Sequence, residues 1–188
     1  MKRLFAAIKI YPSDTFLQVY YGLKTRLRND KIKWVDTKNI HITLKFFGET
    51  GEDKIPEITE KLTEIAHVSP FFTMNIKNVG IFGSSYKPRV IWFGIEKNEQ
   101  LTVLASQVLN AMDEIGFKRD RQNFVPHLTV GRIKYIDDKN RFQQTIDKYK
   151  FTEIQNQEVS GFNLYESILR PQGPEYRIIE KIDFAQNE

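Results

Sequence analysis

The sequence predicts an α+β fold with antiparallel sheets, arranged as two similar lobes within a single domain spanning residues 1–188. Three observations carry this expectation. Apolar runs with a strand period are mixed with a few helical stretches, without the regular strand–helix alternation of a doubly wound sheet. Asn39-Ile40-His41-Ile42-Thr43-Leu44-Lys45-Phe46-Phe47-Gly48 has a counterpart in Val125-Pro126-His127-Leu128-Thr129-Val130-Gly131-Arg132, and the distance from His41 to His127 is close to half the chain, the spacing of a duplicated unit. No linker or low-complexity stretch divides the two halves.

Taken in order, Leu4 to Ile10 is a short apolar strand ended by Pro12. Ser13 suits the N-cap of a helix to about Arg28, with Phe16, Tyr20, Leu23 and Leu27 on one face. Lys31 to Val35 reads as a strand and Asp36 to Asn39 as a turn. In the first repeated stretch Ile40, Ile42, Leu44 and Phe46 alternate with His41, Thr43, Lys45 and Phe47, so a regular strand puts the first set on a core face and the second on a polar face. A helix follows from about Glu52 to His67, with Ile55, Ile58, Leu62 and Ile65 as its buried stripe and Pro56 in its first turn. Phe71 to Phe82 and Arg89 to Ile95 read as strands. Glu99 to Ile115 reads as a helix closed by Gly116. The second repeated strand places His127 and Thr129 on one face and Leu128 and Val130 on the other. Lys139 to Tyr149 is a short helix, and Val159 to Leu169 and Tyr176 to Phe184 are strands around an Arg170–Pro174 turn.

Composition narrows the chemistry. The 28 basic and 24 acidic residues leave a net charge of +4, which suits a phosphate-bearing ligand but is no nucleic-acid tail. The absence of cysteine excludes disulfides, thiolate metal sites and a cysteine nucleophile. The basic start is followed by only five apolar residues before Lys9, too few for a secretory leader, and no apolar run approaches membrane length. The expectation is a soluble, cytoplasmic protein with no membrane partner.

Only three histidines are present, and two stand two positions before a threonine. With 12 threonines in 188 residues, two such hits among three histidines have a chance of roughly 1 in 100 from composition alone. The third, His67, ends an amphipathic helix and suits a surface position. Imidazole takes up or gives a proton near neutral pH, so two converging rings provide one base and one acid. A threonine beside each ring offers a hydroxyl to a non-bridging phosphate oxygen. The set suits in-line transfer at phosphorus without a metal: one histidine activates the incoming oxygen, the other protonates the leaving oxygen, and a cation such as Arg132 meets the charge. No Walker loop, His-Glu-x-x-His or Gly-x-Ser-x-Gly sequence offers another chemistry.

On these motifs the chain resembles the two-histidine phosphoesterase superfamily, specifically the RNA 2′,3′-cyclic phosphodiesterases also called 2′–5′ RNA ligases. The resemblance extends to Arg3-Leu4-Phe5 with Ala7-Ile8, Gly48-Glu49, Pro88-Arg89-Val90-Ile91-Trp92, Phe124 with Val125-Pro126, and Leu164-Tyr165-Glu166-Ser167. It implies a bilobal fold with pseudo-twofold symmetry, outer helices and a cleft between two antiparallel sheets. It implies opening of a 2′,3′-cyclic phosphate at an RNA end to leave a 2′-phosphate, with His41 as proton donor, His127 as proton acceptor, and Thr43 and Thr129 as phosphate ligands. The expected protein is a monomer with no cofactor and no metal.

Around this set stand further candidates. Arg132 is one residue out of parity with His127 and Thr129 and reaches the cleft only if the strand bulges near Gly131. Lys45 has the parity to meet RNA backbone. Phe47 and Phe124 flank the motifs and offer faces for a base, against core packing as the commoner fate of phenylalanine. Arg119 and Arg121 suit a basic rim. Three other readings stay open: 2′–5′ RNA joining, hydrolysis of a 2′–5′ oligonucleotide or cyclic nucleotide at the same site, and a non-catalytic module that binds RNA ends.

Overall fold

A computed structural model describes residues 1–84, 86–118 and 125–185. Two antiparallel sheets carry the chain. Sheet A takes β1 (Lys2–Lys9), β3 (His41–Thr50), β8 (Gly161–Arg170) and β9 (Gly173–Asp183) in the order β3-β1-β8-β9. Sheet B takes β2 (Lys31–Trp34), β4 (Phe72–Gly83), β5 (Pro88–Ile95), β6 (His127–Tyr135) and β7 (Glu153–Val159) in the order β2-β6-β5-β4-β7. Four helices, α1 (Asp14–Arg26), α2 (Ile55–His67), α3 (Glu99–Glu114) and α4 (Lys139–Tyr149), cover the sheets. α2 and α3 pack on each other and on sheet A, while α1 and α4 pair over sheet B. Each sheet therefore has a helix-covered face and a second face left for the cleft.

The lobes are not the two halves of the sequence. β2, β4 and β5 leave the first half to join sheet B, and β8 and β9 return to complete sheet A. The exchange is tied by side chains. On β7, Gln157 accepts from the Tyr11 backbone amide at 3.0 Å and Gln155 from the Ser13 amide at 2.8 Å. The same two glutamines donate to the carbonyls of Lys9 and Tyr11. No apolar period in the sequence marks β7 as a separate strand. Its residues are mostly polar because it is the sheet's edge, with only Ile154 and Val159 buried.

Helix ends follow the local chemistry. Ser13 caps α1 by accepting from the Phe16 amide at 3.2 Å, and Asn98 caps α3 by accepting from Leu101 at 2.9 Å. α3 ends in a Schellman motif: Phe117 N–H bonds Met112 O at 2.8 Å, Gly116 N–H bonds Asp113 O at 3.0 Å, and Gly116 has φ +95°. This turn delivers Phe117 edge-on to the Phe47 ring, with centroids 5.1 Å apart. Leu4, Ala6, Ile8 and Ile10 bury the even side of the first strand and its exit, whereas Arg3, Phe5, Ala7 and Lys9 occupy the other side.

Candidate active site

The two histidine strands are built alike. In sheet A, His41, Ile42 and Thr43 stand opposite Lys9, Ile8 and Ala7, and then the register slips, with Lys45 opposite Ala6 and Phe46 opposite Phe5. In sheet B, His127, Leu128 and Thr129 stand opposite Gly94, Phe93 and Trp92, and the register slips again, with Gly131 opposite Ile91 and Arg132 opposite Val90. The residue after each threonine, Leu44 or Val130, is the extra residue of a β-bulge. A bulge reverses the in–out parity of the residues that follow it, up to the next slip, which on β3 comes at Phe47.

This one feature meets the condition set for Arg132 and corrects two other expectations. Arg132, out of parity in a regular strand, comes onto the face of His127 and Thr129 and lines the cleft. Phe46, expected in the core, is 42% exposed at the cleft, in the position on sheet A that Arg132 holds on sheet B. Phe47, expected on the polar face, packs inward with Phe117 and the core, so it is no base platform. Lys45 is only 3% exposed, and its ammonium donates to the Lys118 carbonyl at 2.6 Å, so it is a buried tie at the cleft floor rather than a free contact for RNA backbone. Phe124, Arg119 and Arg121 lie outside the described residues. His67 ends α2 at the surface.

The four motif side chains, His41, Thr43, His127 and Thr129, line one open cleft of about 1520 Å³ between the sheets. Both rings are held the same way. His41 Nδ1 donates to the carbonyl of Asn39 and His127 Nδ1 to that of Val125, each at 2.7 Å and each two residues back. A carbonyl only accepts, so the proton sits on Nδ1 and Nε2 is left as the atom that gains or loses a proton. Asn39 is itself anchored, its side-chain amide donating to the Pro174 carbonyl at 3.0 Å on the β8–β9 hairpin. Lys9 donates to the Lys38 carbonyl in the same turn.

The surroundings of the two rings differ. His41 sits among aromatic rings, with Phe5 at 5.0 Å and Tyr176 edge-on at 5.2 Å; Tyr165 stacks behind Phe5 at 5.0 Å. Burial lowers the His41 pKa below 6.5; the Asn39 carbonyl opposes this and the Lys9 cation adds to it. His127 has Phe82 edge-on at 4.7 Å and Trp92 across the strand from Thr129. Burial raises the Tyr176 pKa, against the opposing pull of Arg132 and Arg3, which reach it from the two different sheets. Arg3 also lies over the Phe46 ring, 5.1 Å from its centroid.

Sequence periodicity misses Phe46, Tyr176 and Arg3 as cleft residues. Among the described residues no group of three or more His, Cys, Asp or Glu side chains could hold a metal ion. Among them, too, no helix is long and apolar enough to cross a membrane.

A family model for LigT-like phosphoesterases matches residues 8–92 and 94–176. The RNA 2′,3′-cyclic phosphodiesterase of Methanocaldococcus jannaschii is 35% identical over 179 residues, covering 95% of this chain and 99% of that protein. The protein of the same name from Thermotoga maritima is 37% identical over 151 residues, covering 80% and 79%. Among solved structures, E. coli LigT complexed with 3′-AMP superposes with a TM-score of 0.77 at 22% identity over 98% of this chain and 99% of that one. A Thermus thermophilus protein, TT0787, superposes with a TM-score of 0.75 at 25% identity, covering 97% of each chain.

Proposed function

This chain belongs to the LigT-like phosphoesterase family, and from that premise we propose that it opens the 2′,3′-cyclic phosphate at an RNA end to leave a 2′-phosphate, without a metal. The observation that supports this most is the pair of His-x-Thr units, each followed by the same bulge, facing one cleft from opposite sheets. A non-catalytic module needs neither an acid nor a base.

In this reading the cyclic phosphate lies between the rings. The Thr43 and Thr129 hydroxyls donate to its non-bridging oxygens, and Arg132 balances the charge that gathers there in the transition state. His127 Nε2 takes a proton from water as the water oxygen bonds to phosphorus. His41 Nε2 gives its proton to the 3′ oxygen as the P–O3′ bond breaks, so the phosphate stays on the 2′ oxygen. Burial disfavours the charged form of His41 in the free protein. An anionic phosphodiester entering the cleft raises its pKa, so the acid is loaded with its proton as substrate binds. Phe46, rather than Phe47, supplies the face on which the terminal base stacks, with Arg3 fixing its other side. The enzyme acts as a cytoplasmic monomer in this account.

With an RNA 5′-hydroxyl attacking phosphorus in place of water, the same two proton carriers join ends through a 2′–5′ linkage as the P–O3′ bond breaks. End-group analysis separates hydrolysis from joining. A short RNA with a 2′,3′-cyclic end is incubated with the protein in EDTA, with and without a 5′-hydroxyl partner. The expected product is a 2′-phosphate in both tubes. A 3′-phosphate, or loss of all turnover with chelator, would overturn the mechanism.

A further inference from the structure

The cleft is charged beyond what the reacting phosphate requires. Its ionisable lining includes Arg3, Lys33, Lys38, Lys45, Arg132 and Arg170 against only Asp36 and Glu175. Both acids are committed, Asp36 to Lys38 at 3.5 Å and Glu175 to Arg170 at 3.0 Å. Lys45 is tied to a carbonyl, and Arg3 covers Phe46. That leaves Arg132, which the reacting phosphate engages, and its direct cross-strand partner Lys33, which it does not; both are exposed at the cleft. Among the described residues neither has a carboxylate within salt-bridge distance. Like charges directly opposite in an antiparallel pair destabilise a sheet. A neighbouring acid could have relieved this pair, and none stands there among the described residues, so Lys33 is left as a seat for a second anion beside the reacting phosphate.

Position says which anion. The Arg132 row lies two register steps beyond the Thr129 row, about 7 Å along the strand, and Lys33 is the next strand out, about 5 Å further across. The Lys33 seat is thus displaced from the reacting phosphate by the scale of one nucleoside, toward the open edge formed by β2. Resting on the function proposed above, we propose that Lys33, beside Arg132, binds the 5′-phosphate of the terminal nucleotide. The preferred substrate is then an oligoribonucleotide chain rather than a nucleoside 2′,3′-cyclic phosphate.

The test compares adenosine 2′,3′-cyclic phosphate with the same nucleotide carrying a 5′-phosphate, in the protein and in Lys33→Met. The ratio of kcat/KM for the 5′-phosphorylated over the plain substrate is expected at about tenfold, the worth of one charge-assisted hydrogen bond. In Lys33→Met it should fall toward one. With a short RNA, the plot of log KM against log salt should lose about 0.7 of its slope in the variant, one phosphate contact on a single strand. Turnover of both substrates at a ratio near one in the unaltered protein would overturn the subsite alone. A ratio unchanged by Lys33→Met would move the 5′-phosphate elsewhere and overturn it too. Failure to open either substrate would overturn the proposed function, and the subsite with it.

Discussion

The bulge after Thr43 makes adjacent phenylalanines do opposite work, and exchanging each for alanine separates the two roles. Phe46 is 42% exposed at the cleft with the Arg3 guanidinium over its ring. Phe46→Ala removes one exposed cation–π contact, worth about 0.5–1 kcal/mol, and leaves no core cavity, so the urea midpoint should move little. The same change removes the base platform. Stacking is worth about 1–3 kcal/mol per base, so KM for a cyclic-phosphate RNA end should rise about 5- to 150-fold. Phe47 is half-buried, packed between the core and the Phe117 ring that the α3 Schellman turn presents. A fully buried phenylalanine costs about 3–5 kcal/mol when truncated, so this partly covered one should cost about 2–3 kcal/mol, with KM unchanged. Steady-state kinetics on one RNA substrate and urea unfolding of both variants complete the test. A raised KM in Phe47→Ala with a destabilised Phe46→Ala would mean that the strand keeps its simple alternation and that the parity reversal is wrong.

Other outcomes follow from the same geometry. The His41 ring proton signal, titrated by NMR in the free protein, should have its midpoint below 6.5, because burial and the Lys9 cation disfavour the imidazolium. As pH falls from 6.5 toward that midpoint the unfolded chain takes up its proton first, so the urea midpoint should fall over the same window. Lys9→Met removes the cation and should move the His41 titration to higher pH; an unmoved titration would show that Lys9 exerts no field there. Thr43→Val and Thr129→Val keep side-chain shape but remove the hydroxyl. Each should lower kcat/KM on the cyclic phosphate by about tenfold or more, with unfolding unchanged within about 1 kcal/mol. Full activity in both would mean that the hydroxyls do not touch the phosphate.

Most of the fold is legible in the sequence because its elements obey simple periods. The spacing places α4 from Lys139 to Tyr149, and the Ser13 cap, the Gly116 stop and the Pro56 first-turn position follow from local chemistry that tertiary contacts do not override. The β7 strand is not legible, because edge position leaves its glutamines free to staple another segment rather than to show an apolar alternation. The paired His-x-Thr units are legible since all four residues precede the bulge, where period two still holds. Everything beyond Leu44 and Val130 depends on how each strand registers with its neighbour, which a linear pattern does not contain. Hence periodicity interchanges Phe46 and Phe47, and only the pairing with β5 resolves Arg132. Tyr176 and Arg3 have no motif of their own. They join the site because β1 opens sheet A and β9 returns to complete it, a topological fact rather than a local one.

The central claim is that two histidines from opposite sheets divide the acid and base work, with His41 as the acid. The pH dependence of kcat/KM for His41→Ala, set against the unaltered protein, tests it most directly. The unaltered enzyme should give a bell, with a rising limb from the base and a falling limb from the acid. His41→Ala should lose about 10²–10⁴ in rate and keep only the rising limb. A bell of unchanged shape in His41→Ala, or a rate within a few fold of the unaltered enzyme, would contradict the account.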